Sequence, residues 1–198
     1  MSITFFLIIF LILGIIFLFS SPQLSPIPYF PSNKKDLPLI IKALNLKNNQ
    51  VVFDLGAGDG IVIFEAAKLA FEKNLNTQFF AVEINPILIL IMWFRWFFHP
   101  NKKNIKIIRA DIFNMNFKNL LNKPVTRNPQ LATFYLYISP WYLEKVIKNF
   151  LPEEALAESG KLKIKNFTLV SYFYPVPKMK EKKVFEGKNK VFVYTTLP

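Results

Sequence analysis

Ile3 to Phe19 reads ITFFLIIFLILGIIFLF, seventeen residues in which only Thr4 and Gly14 interrupt large apolar side chains. The run has no polar stripe at helical spacing, so as a helix it is apolar on every face. Residues 2–21 would rise about 30 Å, one hydrocarbon core. The pattern predicts an anchor over residues 1–21 that meets the lipid bilayer through residues 3–19. A cleaved signal peptide would want positive charge ahead of the apolar run, where only Met1 and Ser2 stand. Four prolines in residues 22–33 break any helical period and predict a short stiff tether.

From residue 34 the period alternates. Leu37–Leu46 has helical spacing. QVVFDL (50–55) reads as a buried strand, 61–71 as a helix, QFFAVE (78–83) as a strand, and 86–98 as a very apolar helix. Strands follow at 105–109 and 131–138, helices at 141–151 and 152–159, and strands at 167–174, 184–186 and 190–196. Strands alternating with helices predict an α/β fold with a mostly parallel, Rossmann-like sheet covered on both faces. The last two strands, joined through Gly187-Lys188-Asn189, predict an antiparallel hairpin. Residues 34–198 then form one domain.

Composition narrows the chemistry. With no cysteine and one histidine, the chain has no thiolate nucleophile, disulfide, Cys-ligated zinc or His-pair metal site, and no metal is expected. Lys and Arg total 25 against 13 Asp and Glu, a formal +12, and residues 1–33 carry no charged side chain at all. All the positive charge follows the apolar run, which predicts the domain on the cytosolic side of a single-pass protein. His99, ahead of Pro100, is expected to end its helix and to take no part in catalysis.

The sharpest motif is VVFDLGAGDGIVIFEAA (51–67). Glycines at 56, 58 and 60 let the backbone turn tightly and approach a ligand, and the following helix start offers free N–H groups. A nicotinamide fingerprint would need glycine at 61, where the chain has Ile61. Asp54 closes the strand, where a carboxylate can lie near a ligand's cationic amine. Glu83 closes the second strand, where an acid would accept ribose hydroxyls, and Asp111 follows the third. Asp59, inside the loop, can either brace the loop or meet ligand.

This constellation resembles class I, seven-strand S-adenosyl-L-methionine (SAM)-dependent methyltransferases. Together with PYFPS (28–32), VEINP (82–86), ADIF (110–113) and a Pro-containing loop after strand four, it resembles a narrower group of protein lysine methyltransferases. That group includes archaeal broad-specificity enzymes and membrane-anchored mitochondrial enzymes acting on ATP synthase c-subunits and the adenine nucleotide translocase; Dot1 enzymes are more distant. The resemblance covers about residues 27–198. It implies SAM as cofactor, with Tyr29, Ser32, Asp54, Gly56, Ala57, Gly58, Gly60, Glu83, Ile84, Asp111 and Ile112 around it. Tyr29 and Ser32 would close over the methionine end, and Asp111 and Ile112 would meet the adenine. Ile61 departs from a frequent Arg of the family.

The expected reaction is in-line methyl transfer from SAM to a lysine of a protein substrate, which membrane proteins would supply, by a monomeric enzyme. The acceptor pocket is expected around Tyr137, Ser139, Pro140 and Trp141, with Tyr135 and Tyr142 as further candidates, because aromatic faces hold methylated ammonium groups. RNA or DNA methylation is the alternative that pI 9.8 favours. Base methylation in such folds uses an Asn or Asp within an Asn-Pro-Pro-Tyr-like loop, and Tyr137 to Trp141 contains neither. Lipid or quinone methylation, and a scaffold without turnover, also stay open. ILILIMWFRWFF (87–98) is too short to span a bilayer. Its outer aromatic face is expected at the membrane interface, the competing reading being a buried core helix.

Overall fold

The computed structural model describes residues 3–20, 24–115, 131–150 and 167–195, without the side chains at 15, 18–20 and 149–150. The expected helix 152–159 lies outside them. Seven strands form one sheet: β1 (Gln50–Leu55), β2 (Gln78–Glu83), β3 (Ile105–Arg109), β4 (Leu131–Leu136), β5 (Phe167–Tyr172), β6 (Lys183–Glu186) and β7 (Lys190–Thr195). Their order is β3-β2-β1-β4-β5-β7-β6. β1 to β5 pair in parallel, while β7 runs antiparallel to both β5 and β6. The helices are α1 (Ile3–Ser20), α2 (Leu37–Leu44), α3 (Ile61–Glu72), α4 (Pro86–Phe98) and α5 (Pro140–Phe150).

All six residues of β1 are buried, as expected of a parallel strand covered on both faces. The two-residue period of the strand sorts them into two cores. Val51, Phe53 and Leu55 join Phe80, Phe134, Leu136 and Leu143 of α5 on one face. Val52 joins Phe79, Ala81, Ile40 of α2, Ile63 and Ala67 of α3, and Met92 of α4 on the other. Phe53 pairs in register with Phe80 and Phe134. Its ring stacks on theirs at 5.0 and 5.1 Å, each contact adding about 0.5–1.5 kcal/mol beyond burial.

Three elements end two residues short of expectation. β4 stops at Leu136, which puts Tyr137 and Ile138 in the following loop. β5 stops at Tyr172 because Phe173 adopts φ +74°, outside the extended region. α2 ends at Leu44, where Asn45 turns left-handed. His99 ends α4 as expected, its N–H reaching the Trp96 carbonyl. Its Nδ1 accepts from the Asn101 N–H at 3.1 Å. The proton therefore sits on Nε2 and is donated to the Phe64 carbonyl at 3.0 Å, tying α4 to α3. Burial lowers the His99 pKa and keeps the ring neutral.

α1 is an 18-residue helix, about 27 Å long at 1.5 Å per residue, and its described side chains are exposed, Ile3 by 79% and Phe10 by 78%. Over the described residues, which omit its side chains at 15 and 18–20, no helix is long and apolar enough to cross a membrane.

Asp36, only 1% exposed, precedes α2 and yet makes no side-chain bond to that helix. Instead its carboxylate accepts from the Tyr172 hydroxyl (2.7 Å), the Lys188 and Asn189 N–H groups (2.7 and 2.9 Å) and Asn189 Nδ2 (3.3 Å). It joins α2, β5 and the β6–β7 turn. Burial alone would raise its pKa, but these donors outweigh burial and hold it below the usual value. A depressed folded pKa contributes stability above the unfolded value, about 3.9, that is lost as pH falls through the folded one. In detergent-solubilised full chain, Asp36→Ala should lower the unfolding free energy at pH 7 by about 2–4 kcal/mol, the range for stripping a buried charge-assisted network. Denaturant titration checks this, and the gap between the two chains should narrow on acidification below about pH 3.9.

Candidate active site

Strand order reverses between β1 and β4, and in open α/β sheets ligands bind outside the carboxyl ends of the strands at such a point. Here β1 ends in Asp54-Leu55 and passes into the glycine loop. Gly56, Gly58 and Gly60 have φ of +82°, +60° and +78°, the left-handed region that costs glycine little. Gly58 is required twice over, since a Cβ there would lie 2.7 Å from the Tyr29 ring. The N–H groups of Gly56 and Ala57 both reach the Val82 carbonyl at 2.9 Å, folding the loop across the end of β2.

Glu83 holds this arrangement. Its Oε2 accepts from the Gly58 N–H at 2.8 Å, and its Oε1 from Ile84 and Asn85 N–H at 2.8 and 2.9 Å. Asn85 in turn caps α4 by accepting from Ile87 and Leu88. A carboxylate has about four lone-pair sites, so roughly one remains for a ligand hydroxyl. Asp111 is similarly engaged, accepting from the Phe113 N–H (2.9 Å) and Asn114 Nδ2 (2.7 Å), which shapes its loop and keeps Ile112 buried beside the cleft.

Asp54 differs from both. It is 2% exposed, and the described residues give its carboxyl no hydrogen-bond partner. Burial, then the charges of Glu83 and Asp59, push its pKa well above the usual carboxylate range. A buried acid in this state favours a cation arriving from the cleft. Beside it in register lies Tyr135, whose hydroxyl is 2.9 Å from Ser32 Oγ. That bond fastens the tether to β4. Tyr29 fastens it a second time by hydrogen-bonding Asp59, and burial followed by the Asp59 charge raises the Tyr29 pKa.

These groups line one cleft beside the carboxyl ends of β1, β2 and β4. Tyr29, Ser32, Asp54, Gly56, Ala57, Gly58, Glu83, Ile84, Asp111 and Ile112 are brought together around it, as are Tyr135 and Tyr137. Gly60 stands just behind it as the cap of α3. The Tyr137 ring meets Tyr172 edge-on at 4.8 Å, and burial raises its pKa. Ser139 immediately precedes α5 and Pro140 begins it, and neither lines the cleft; the Ser139 carbonyl accepts from the Tyr142 N–H. Trp141 is 86% exposed and Tyr142 packs on Phe113 at 5.3 Å.

Two features escaped sequence reasoning. Arg95 Nη2 lies 2.7 Å from Asp59 Oδ2, while Asp59 Oδ1 accepts from the Ile61 N–H at 3.2 Å. Asp59 therefore braces loop, α3, α4 and tether together while also lining the cleft. The available signal was Arg95 itself, the one charge in ILILIMWFRWFF. The other is Phe30, 68% exposed at the cleft mouth, which carried no signal beyond its neighbours.

A family model described as "Ribosomal RNA adenine dimethylase" matches residues 29–171. The human lysine N-methyltransferase of the ATP synthase c-subunit is 24% identical over 139 residues, 69% of this chain and 53% of that protein. The chain thus spans about half the length of this curated relative. Among solved structures, an RNA methyltransferase from Salinibacter ruber in complex with S-adenosyl-L-homocysteine is similar with a TM-score of 0.63 and 16% identity, covering 84% of this chain and 94% of that one. The rRNA methyltransferase aviRa from Streptomyces viridochromogenes has a TM-score of 0.54 and 13% identity over 90% and 91%. Such likenesses show the fold. The cofactor is S-adenosyl-L-methionine, and the residues fit it. Asp54, without a hydrogen-bond partner among the described residues, offers its carboxyl to a cation, the side-chain-free glycine face lets a ligand approach, and Glu83 keeps about one acceptor site for a hydroxyl.

Because a cationic ligand favours ionised Asp54, cofactor binding below the raised Asp54 pKa should release a proton. Affinity should then rise with pH until Asp54 is already ionised in the free protein. Calorimetry in buffers of different ionisation enthalpy measures that release. Asp54→Asn should abolish it and weaken binding about 10- to 150-fold, the 1.5–3 kcal/mol of a charged hydrogen bond.

Proposed function

We propose that this chain, which belongs to the ribosomal RNA adenine dimethylase family and is a SAM-dependent methyltransferase, transfers the methyl group to a lysine amine of a protein at a membrane surface. The observation that carries the choice of acceptor is the end of β4. An adenine amine needs a hydrogen-bond acceptor beside the methyl carbon, the part an Asn or Asp plays in base-methylating loops. Tyr137 to Trp141 supply neither. What the cleft offers near its mouth is aromatic: Tyr29, Phe30 and Tyr137.

A lysine must lose its proton before it attacks, and burial beside a cation lowers an amine's pKa. When bound, SAM supplies the sulfonium methyl, and the protein's part is to align the two reactants and exclude water. Asp54 would orient the methionine end, and Tyr29, fixed by Asp59 and by the close approach of Gly58, would cover it. The Tyr137 ring would hold the acceptor nitrogen by cation–π attraction once it carries methyl groups. Burial keeps the Tyr137 hydroxyl neutral, so the ring acts as a face and not as a base.

Support for the membrane comes from α1, charge-free over 18 residues and exposed wherever its side chains are described. In this reading α1 anchors the chain, and the basic remainder lies on the cytosolic side. The similarity to a lysine methyltransferase favours a lysine acceptor. An RNA acceptor is the second reading, favoured by the family's description and by the +12 charge.

Methyl-labelled SAM should place label in the protein fraction of host membranes, and acid hydrolysis should recover it as methyl-lysine. Label confined to RNA would decide for the second reading, and label in the lipid fraction would reject both. Tyr137→Ala should lower turnover roughly 2- to 30-fold, the 0.5–2 kcal/mol of a cation–π contact, with cofactor affinity unchanged in calorimetry.

A further inference from the structure

α4 carries its polarity inside out. Leu88 and Met92 face the core, and Arg95 shares that side, reaching Asp59 at the glycine loop. Leu90, Trp93, Phe94, Phe97 and Phe98, at i, i+3, i+4, i+7 and i+8, are exposed by 67%, 47%, 71%, 62% and 69%. The helix therefore turns its one charge inward and a stripe of five large apolar side chains outward, the reverse of a helix that faces water.

We infer that this stripe docks on an anionic lipid surface as an interfacial helix lying beside the α1 anchor, an inference that rests on the membrane reading above. The composition suits that occupant. Trp and Phe favour the headgroup boundary, and cations beside such a face meet anionic lipid. Residues 84–110 hold Arg95, Lys102, Lys103, Lys106 and Arg109 and no carboxylate. Lys102, just beyond the helix, sits with its Nζ 5.3 Å from the Phe97 ring centre and 5.8 Å from that of Trp96. Its ammonium donates to the Phe97 carbonyl at 3.1 Å, which fixes a positive charge at the edge of the aromatic stripe, where an anionic headgroup would meet it.

Chain length brings the two membrane elements within reach. α1 ends at Ser20 and Ser25 already lines the cleft; five residues span at most about 18 Å. The inner face of α4 touches the glycine loop, so the cleft lies about one helix diameter, 10–12 Å, from the lipid. The acceptor class that follows is a lysine at headgroup level on a protein embedded in the same membrane.

The test uses the full chain in phosphatidylcholine–phosphatidylglycerol vesicles with brominated acyl chains, which quench tryptophan on contact. α1 contains no tryptophan, so the anchor itself is silent. The difference between wild type and Trp93→Phe should show emission from Trp93 that is quenched, and quenched more with phosphatidylglycerol than with phosphatidylcholine alone. The chain has no cysteine, so Phe97→Cys reports the alternative occupant: disulfide-linked dimers at this position would assign the face to a second copy and overturn the inference. Vesicle-bound chain with unquenched Trp93 would also overturn it, leaving anchor and acceptor untouched. Chain that stays off vesicles altogether would instead bring down the anchor reading, and the docking with it.

Discussion

The cofactor end of the molecule depends on one carboxylate. Glu83 is buried at the tip of β2 and accepts three backbone N–H groups, one from the glycine loop and two from the residues that lead into α4. A buried charge is tolerable only when such donors surround it. The bond also holds the loop, because Gly58 offers its N–H from the left-handed conformation that glycine adopts at little cost. Loop shape and helix direction are thereby coupled. Burial first, and then this same charge, raise the pKa of the neighbouring Asp54.

Around this point the sheet acts as a rigid frame. β1 is buried on both faces and flanked in register by β2 and β4, so the carboxyl ends of three strands are held side by side. The stacked rings of Phe53, Phe80 and Phe134 lie beneath the cleft on one face. On the other, α3 and α4 are joined through His99 and through Asp59 with Arg95. The tether closes the front by two hydrogen bonds, one from Tyr29 to Asp59 and one between Ser32 and Tyr135. A segment of low helical and strand propensity is thus made part of the site by contacts across 103 residues of sequence.

Among the described residues, large apolar side chains are exposed chiefly on α1 and α4. Both expose them in stretches where charges are absent or turned inward. This sets the exposed apolar surface apart from the cleft, although α4 belongs to both: its first turn follows Glu83 and its later part contributes Arg95. Asp36 plays the matching structural part at the far edge, where it binds the start of α2 to the β6–β7 turn.

Period-two and helical spacing, the glycines and the acids at strand ends are local features, and they were legible from residues alone. Backbone propensity and side-chain alternation act over a few positions, so QVVFDL and QFFAVE could be read as strands and Asp54, Glu83 and Asp111 as their ends. Where each acid spends its lone pairs was not legible. That Glu83 is nearly saturated, that Asp54 has no hydrogen-bond partner among the described residues, that Asp36 gathers donors from residues 172, 188 and 189, and that Trp141 is exposed to solvent while Tyr137 meets Tyr172 all depend on which strands become neighbours. A hydrogen bond or a ring contact between distant residues forms only after loops close and the sheet sets their separation. Local sequence carries the energetics of each element, and the tertiary structure alone decides which polar groups meet and which remain open for a ligand.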